Sequence, residues 1–381
     1  MKIKMYLSLV IIAIMAVVVT VIVSVLLRRT SRINLDLNMK NVELMAGQQA
    51  DFWKNRKDGY IRVLHTLADV MSDYNTLPKW ERRDRYDKML KSVLVSEPDM
   101  VSLYMVWKPN VIDGMDERYI GRVGSGPAGQ YAIAYTMETG RIKPRTSDDI
   151  ENIMAHISGP NARRDRVDNP MPQNVNGKET ITFRMSVPII NAVTNEVAGG
   201  VGCIIDIEMF QRVVENTIKT NDMIDMAVVY SGNGTILAHF YPERVGKKMY
   251  DVDVELGDSM PAIFSAIKNG TTFRDIKYAP DLGENIGFVI KPFHIGNSDQ
   301  NLAVLIGSSE SNIFREVRAI TAQIIILAVL FFALSSVVVY FVLYKITKPI
   351  IRKTKNLKII PIGKGDKENK QSGTVSKIAY L

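Results

Sequence analysis

The sequence predicts an α+β fold, with two tandem antiparallel-sheet modules on a long N-terminal helix and a transmembrane helix at each end. Three observations predict it. Two apolar spans, 5–27 and 320–344, contain no Asp, Glu, Lys or Arg. A proline-free stretch with apolar residues at helical spacing covers about 30–74. Between this stretch and the second span, strand-like segments and short helices occur twice in a similar order.

Both apolar spans are long enough to cross a bilayer. A helix rises about 1.5 Å per residue, so about 20 apolar residues cover a hydrocarbon core of about 30 Å. The predicted domains are therefore an N-terminal tail (1–4), a transmembrane helix (5–27), an external region (28–319), a second transmembrane helix (320–344) and a C-terminal tail (345–381). A cleaved signal peptide is the alternative for the first span. The length of its apolar run, with no small-residue cleavage pattern after Leu27, favours an uncleaved anchor.

The net charge of +8 is explained by the location of the basic residues. A cluster follows the second span: Lys345, Lys348, Arg352, Lys353, Lys355 and Lys358. Such clusters stay on the cytoplasmic side and contact anionic headgroups. Arg28, Arg29 and Arg32 disagree with this orientation, but long translocated domains obey the charge rule weakly. We therefore expect a two-pass protein of the inner (plasma) membrane with an extracytoplasmic region, lipid contacts and no nucleic-acid partner.

The external region divides into two predicted modules, about 30–207 and about 208–318. The first contains helices at 30–74 and 79–96, strands at 100–107 and 130–137 with Gly140 and Pro144 as breakers, a helix at 148–156, and strands at 178–190 and 196–207. The second contains a helix at 208–219, strands at 226–230 and 235–240, a helix at 261–268, strands at 271–278, 286–294 and 301–308, and a helix at 311–318. Cys203 is the one cysteine, so no intramolecular disulfide is possible, and its apolar surroundings predict burial.

Two segments carry a family resemblance. GGVGCIIDIEMF (199–210) follows the strand ITFRMSVPI (181–189), and YSGNGTILAHF (230–240) contains a hairpin turn. Together with the long helix, they resemble the double Cache sensor domains of methyl-accepting chemotaxis proteins, the bacterial chemoreceptors. The resemblance covers about 30–318 and implies two PAS-like modules. The first segment would close the membrane-distal module, and the hairpin would open the membrane-proximal one.

The C-terminal tail has a resemblance of its own. KITKPIIRKTKNLKII (345–360) resembles the start of a HAMP linker, a short basic helix with a proline, here Pro349. GKGD (363–366) is similar to the end of such a helix. The resemblance implies that Pro349 takes part in signal transmission and that the chain is truncated within the HAMP linker.

The resemblance implies a ligand pocket in the membrane-distal module. In the family, an Asp at the end of the last strand binds the ligand ammonium, and Asp206 matches it; the alternative is that Asp206 caps the helix from 208. The R-x-W-Y run that holds a ligand carboxylate is missing between Arg145 and Arg164, which argues against a standard α-amino acid. The other candidate pocket residues, each with a core or surface alternative, are Tyr131, Tyr135, Arg141, His156 and Arg184.

No catalytic, metal or cofactor motif is apparent. DGMDERY (113–119) groups three carboxylates but lacks the spacing of a calcium-binding EF-hand loop. GRVGSGPAG (121–129) lacks the G-K-[S/T] ending of a phosphate-binding loop. The four histidines are dispersed, without zinc-ligand spacing. We therefore expect a non-enzymatic protein with no cofactor and no metal.

The sequence thus predicts a transmembrane sensory receptor that binds a small extracytoplasmic ligand and transmits a conformational signal in chemotaxis. The resemblance also implies a homodimer, with the long helices paired. Two alternatives stay open: the sensor half of a histidine kinase or diguanylate cyclase, and an anchored binding module without output.

Overall fold

The computed structural model describes residues 2–175, 178–280, 282–313 and 315–355. It divides into two compact units. One unit, Thr30–Ala319, contains both sheets, and the other contains the terminal apolar segments. The apolar segments lie in the first and last helices, and by length and composition each could cross a membrane.

The helices agree in type and order with the predicted ones, except that the short helix at Met249–Val252 was not predicted. They are α1 (Lys2–Ser72), α2 (Arg82–Ser96), α3 (Ile150–Ser158), α4 (Glu208–Thr220), α5 (Met249–Val252), α6 (Met260–Asn269), α7 (Glu310–Ile313) and α8 (Arg315–Lys355). The first apolar span and the predicted helix at 30–74 belong to one continuous helix, because neither proline nor glycine interrupts residues 2–46.

Twelve strands form two sheets within the described residues. They are β1 (Met100–Trp107), β2 (Ala132–Glu138), β3 (Arg141–Thr146), β4 (Arg166–Val167), β5 (Met171–Val175), β6 (Lys178–Ile190), β7 (Val197–Asp206), β8 (Met226–Tyr230), β9 (Ile236–His239), β10 (Phe273–Ala279), β11 (Glu284–His294) and β12 (Asn301–Ser309). The seven-stranded sheet has the order β3-β2-β1-β7-β6-β4, and β5 also pairs with β6. The five-stranded sheet has the order β10-β11-β12-β8-β9. All pairs are antiparallel.

Three strands of the first sheet, β3, β4 and β5, were not expected from the sequence. The prediction that Pro144 interrupts strand structure is wrong, since Pro144 lies inside β3 and pairs with Tyr135. β3 is one of the edge strands of this sheet. A proline is tolerated there because one side of an edge strand makes no ladder hydrogen bonds.

The seven-stranded sheet is covered on both faces. On one face, α1 and α2 contribute Trp53, Leu64 and Leu90 to a large apolar core. The Trp53 ring stacks on Phe210 of α4 at 4.6 Å between ring centroids. Cys203 is fully buried, as predicted. This continuous core connects α1 with both the first sheet and the start of the second module.

On its other face, the same sheet packs against α3. Ile153 and Ile157 of this short helix contact a small apolar cluster that includes Val106 and Ala132. Because α3 is only nine residues long, it covers part of the sheet and leaves space beside it. The five-stranded sheet has its own core, in which Ile263 of α6 packs with Phe288.

Candidate ligand-binding site

A cavity of about 140 Å³ lies on the α3 face of the seven-stranded sheet. A cavity of about 150 Å³ holds a benzene-sized molecule, so the space suits a small ligand. Hydroxyl, amide and charged groups line much of it: Ser102, Tyr104, Thr136, Glu138, Arg145, Thr146, Asp148, Gln173 and Asn174. Val101, Ala134, Val175 and Ile204 supply an apolar part. This mixture is typical of sites for small polar molecules.

A buried ionic cluster adjoins the cavity. Asp149 is at its centre and is 1% exposed. It accepts hydrogen bonds from Arg166 Nη1 at 2.8 Å and from Tyr104 Oη at 3.3 Å, and Arg184 Nη1 lies 3.4 Å away. Arg166 also pairs with Asp168. Asp148 accepts a hydrogen bond from Arg184 Nη2 at 2.7 Å. The cluster thus contains the carboxylates of Asp148, Asp149 and Asp168 and the guanidinium groups of Arg166 and Arg184.

Burial shifts the pKa values of the groups in this cluster, and the neighbouring charges add to or oppose these shifts. Burial raises the pKa of Asp168, and the Asp149 charge adds to this, although Arg166 opposes it. Burial alone would lower the pKa of Arg166, but its hydrogen bond to Asp149 and the Asp168 charge outweigh burial and raise it. The cluster therefore keeps both guanidinium groups charged, while one carboxylate is more easily protonated than usual.

The glycine-rich strand β7 helps to position Tyr104. A Cβ atom at Gly202 would lie 2.6 Å from Tyr104 Cζ, so only glycine lets the tyrosine ring lie across the strand. In this position the hydroxyl reaches Asp149. The GGVG pattern that carries the sequence resemblance thus has a local physical role in the cavity wall.

Of the candidate pocket residues, the structure brings Arg184 to this cluster. Arg184 is 5% exposed, and its Nε has no hydrogen-bond partner among the described residues. Tyr135 lies on the opposite face of β2, and Tyr131, directly before this strand, lies on the same side, where its hydroxyl donates to Asp87 of α2. The period of two in a strand explains this, since Ala134 and Thr136 face the cavity instead.

The remaining candidates lie elsewhere in the first module. Arg141 is exposed on the edge strand β3. His156 is half-buried near the end of α3, and its Nε2 lies 2.9 Å from the backbone oxygen of Arg164. Their pocket roles, like those of the two tyrosines, stay predictions.

Asp206 lies at the end of β7, as the resemblance required, but its Oδ1 is already engaged. It accepts hydrogen bonds from the backbone N–H of Glu208 at 2.9 Å and from Thr180 Oγ1 at 3.1 Å. The first of these satisfies an otherwise unpaired donor in the first turn of α4. The geometry favours the capping alternative, and the ligand role of Asp206 stays a prediction.

The C-terminal transmission segment is only partly described. The backbone at Pro349 belongs to α8. The GKGD sequence at 363–366 lies outside the described residues, as does the rest of 356–381. The predicted role of Pro349 in signal transmission therefore stays a prediction.

Two of the three carboxylates of the 113–119 loop contact an arginine. Arg83 of α2 donates from Nε to Asp113 at 2.7 Å and from Nη2 to Asp116 at 2.6 Å. Its Cζ lies 3.7 Å from the centroid of the Tyr119 ring. The guanidinium group thus supplies the positive charge between these carboxylates, and the arrangement ties the loop to α2.

One group in the second module has potential metal ligands close together. Ligand atoms of His239, Asp253 and Glu255 lie within 4.8 Å of one another. His239 Nδ1 accepts the backbone N–H of Tyr241 at 2.8 Å, so the neutral ring carries its proton on Nε2, which faces Asp253. Arg244 contacts both carboxylates. A protonated nitrogen and a guanidinium group make this an ion-pair network that is unsuited to a divalent cation.

Sequence reasoning missed most of the ionic cluster. Asp149, Arg166 and Asp168 stand outside the segments that carried the resemblance. A weak signal was present in DRVD (165–168), where charges surround one apolar residue at the spacing of a short strand. Nothing in the spacing indicated that this strand meets Tyr104 and the start of α3.

Comparison with known proteins gives one sequence relative and several structural ones. No family model matches the chain. Over 83 residues, or 21% of the chain, it is 25% identical to the methyl-accepting chemotaxis protein TlpQ of Pseudomonas aeruginosa. The matched segment spans only 12% of the length of TlpQ.

Solved sensor domains match over most of the chain. The extracellular domain of mmHK1S-Z3, described as a histidine kinase, has a TM-score of 0.61 at 19% identity and covers 74% of this chain and 98% of its own. The periplasmic sensory domain of the chemoreceptor Tlp1 of Campylobacter jejuni has a TM-score of 0.56 at 15% identity, covering 72% and 96%. These likenesses confirm the predicted α+β fold class, and the part of the chain with the two sheets has the fold of chemoreceptor and histidine kinase sensor domains.

Proposed function

We propose that this chain is a membrane-anchored sensory receptor whose first module binds a small polar ligand in the cavity beside Asp149. The observation that carries this proposal is the juxtaposition of the 140 Å³ cavity with the buried ionic cluster, in a fold shared with sensor domains. Buried charges give a small ligand strong and directional partners, because hydrogen bonds to charged groups are roughly twice as strong as neutral ones.

The proposal includes a two-pass arrangement in the inner membrane with the sensor region outside. The two exposed apolar segments at the ends of the chain support it.

For the output we propose chemotaxis-type signalling, which the sequence likeness to TlpQ supports. The histidine kinase alternative is supported by the likeness to mmHK1S-Z3. The output can be tested with a fusion of this chain to a chemoreceptor signalling domain, which is expected to restore chemotaxis in a receptor-deficient strain.

Ligand binding can be tested on the full chain in detergent micelles. We expect a metabolite screen by thermal unfolding to find compounds that stabilise the protein, by about 2.7 kcal/mol at 100 times Kd. Intrinsic fluorescence is a suitable signal, since Trp53 and Trp107 are buried in the first module. Ala134→Leu fills the cavity and is expected to abolish the shift caused by a hit.

The comparison variant is Asp206→Ala. We expect it to lower stability by about 1 kcal/mol through loss of the contact with the Glu208 N–H, while the ligand-induced shift persists. If Ala134→Leu keeps the shift and Asp206→Ala loses it, the site is at the end of β7 and the cavity assignment is wrong. A screen without any hit would count against ligand sensing by this module.

A homodimer is part of the proposal. Ile33, Leu37 and Leu44 of α1 are 58%, 54% and 62% exposed and lie on one helix face, a suitable surface for a second copy. Since the native Cys203 is fully buried, Leu44→Cys introduces a single exposed thiol. We expect it to form a disulfide-linked dimer under mild oxidation in membranes. Val95→Cys, at an exposed position of α2, is expected to stay monomeric on the same gel, and equal cross-linking of both variants would refute this interface.

A further inference from the structure

A loop of the second module makes one of its contacts with the first. Residues 295–300, between β11 and β12, lie against residues 161–165 of the first module. The backbone N–H of Asn297 donates to Asp165 Oδ2 at 2.7 Å, and Asn161 Nδ2 donates to Asp299 Oδ2 at 3.1 Å. Arg164 also pairs with Asp299. These contacts are hydrogen bonds and an ion pair, which weaken when their polar groups are displaced.

The long helix α1 contributes to the same contact. His65 Nε2 lies 2.9 Å from Asp165 Oδ1, and Asp58 Oδ1 accepts the backbone N–H of Gly296 at 2.8 Å. Asp165 is 4% exposed. One of its carboxylate oxygens contacts His65 of α1, and the other accepts the hydrogen bond from the second module. We refer to His65, Asp165 and Asn297 as the intermodule junction.

Gly296 shows how closely the second module approaches Asp165. Its φ is +52°, which favours glycine. A Cβ atom at this position would also lie 2.4 Å from Asp165 Oδ2. The loop and the carboxylate therefore have little freedom to move independently, and a displacement of Asp165 must displace the loop or break its hydrogen bond.

Asp165 is directly connected to the ionic cluster beside the cavity. The next residue, Arg166, begins β4 and donates to Asp149, and Asp168 continues the same segment. Asp165 contacts α1 and the second module, while Arg166 contacts the cavity cluster. One peptide unit separates the two networks.

We propose that the segment 165–168 couples occupancy of the cavity to the intermodule junction, with Asp165 as the positioning residue. A ligand that shifts Arg166 or Asp149 displaces Asp165 and alters its hydrogen bond with Asn297. The proposal rests on the proposed function for the identity of the occupant, but the mechanical connection is independent of any ligand. It assigns a route by which the first module passes a signal to the second.

The junction also contains a titratable group, His65. Its hydrogen bond to Asp165 raises its pKa, against the opposing effect of burial, and the Asp165 and Asp69 charges add to the increase. Burial opposes ionisation of Asp165, but the hydrogen bonds from His65 and Asn297 outweigh it and lower the pKa. The charge of His156 also contributes to the lowered pKa of Asp165.

The charge state of His65 consequently tunes the junction. The stabilisation by the His65–Asp165 pair is fully present below the ordinary histidine pKa of about 6.5. It is lost as the pH rises through the higher pKa in the folded protein. Asp58 and the Arg164–Asp299 pair also lie at this contact, through the hydrogen bond to the Gly296 N–H and the ion pair between the modules.

Hydrogen exchange of the full chain in nanodiscs tests the coupling without a ligand. Arg166→Gln removes the guanidinium group from the cavity cluster but leaves Asp165 in place. We expect exchange of the 295–299 amides, in particular Asn297, to become about tenfold faster, which corresponds to the loss of about one charge-assisted hydrogen bond.

The matched control is Arg163→Gln. Arg163 lies two residues before the segment 165–168, but it bonds to Asn195 within the first module. We expect unchanged exchange at 295–299 in this variant. If Arg166→Gln also leaves these amides unchanged, or if both variants accelerate them equally, the coupling is wrong.

A second variant, His65→Gln, separates titration from structure. It keeps an N–H donor for Asp165 but has no charge. After correction for intrinsic exchange, the wild-type 295–299 amides are expected to be better protected at pH 5.5 than at pH 8.5, and the variant is expected to lose this difference. A pH-independent wild type would overturn the role of His65. Failure of the ligand screen, in contrast, would remove the proposed function and leave these exchange results intact.

Discussion

Asp149→Ala is expected to destabilise the protein by about 3–5 kcal/mol, the cost of leaving buried charges without their partner. Asp149 is 1% exposed and is shared by Arg166, Arg184 and Tyr104. The side chains of the two arginines are themselves only 14% and 6% exposed, so water cannot replace the lost carboxylate. Chemical denaturation of the full chain in micelles measures the change.

The adjacent residue provides the control. Asp148 also bonds to Arg184, but its side chain is 61% exposed. We expect Asp148→Ala to cost less than about 1 kcal/mol, because exposed ion pairs contribute little. The double variant Asp149→Ala/Arg166→Met is expected to recover part of the lost stability, since it removes one stranded charge. Equal losses for Asp148→Ala and Asp149→Ala would show that the cluster is not a desolvated network.

Lys57→Met is expected to stabilise the protein by about 3–4 kcal/mol at pH 7. Lys57 of α1 is fully buried against α4, with Nζ 4.0 Å from the centroid of the Phe210 ring and 3.9 Å from Met209 Sδ. Asp99, the carboxylate whose charge acts on Lys57, forms its ion pair with Arg56 instead. Burial lowers the pKa of Lys57 to about 7 from 10.5. The expected gain follows because each pKa unit corresponds to about 1.4 kcal/mol.

The pH dependence gives this prediction a second test. Between about pH 7 and 10.5 the unfolded chain binds more protons at Lys57 than the folded protein does, so wild-type stability rises with pH over this window. The advantage of Lys57→Met is therefore largest at pH 7 and shrinks towards pH 10. Lys40→Met, at a lysine of the same helix whose side chain is 65% exposed, is expected to change stability by less than about 0.5 kcal/mol at any pH. A constant difference between wild type and Lys57→Met across this range would contradict the assigned burial.

Much of the fold was predictable because its strands and helices have strong local signals. β1 and β8 have the predicted bounds, and so does β6, since their apolar and β-branched residues are bounded by turns. β3, β4 and β5 were missed because they are short, polar or interrupted by proline. Such strands form because a neighbouring strand supplies hydrogen-bond partners. For β4 the neighbour is distant in sequence, since Arg166 pairs with Ser186 of β6.

The candidate site was less predictable than the fold. Arg184 could be suggested from sequence because it lies in the strand that precedes GGVGC. Tyr131 and Tyr135 were equally reasonable suggestions, and only the packing of β2 and the residue before it shows that both face away from the cavity while Ala134 faces it. A shift of one residue in a strand exchanges its two faces, so the facing of a side chain is a property of the packed sheet.

By itself, the sequence determined the two apolar segments, the long helix, the two-module order and the absence of a disulfide. These follow from composition and periodicity, which act over neighbouring residues along the chain. The tertiary structure decided where charge is buried. Asp149, Arg166 and Tyr104 meet only when three distant segments pack together, and Asp165 reaches both α1 and Asn297 only when the modules are in contact. The pairing of such charges depends on distance and desolvation, which sequence separation does not encode.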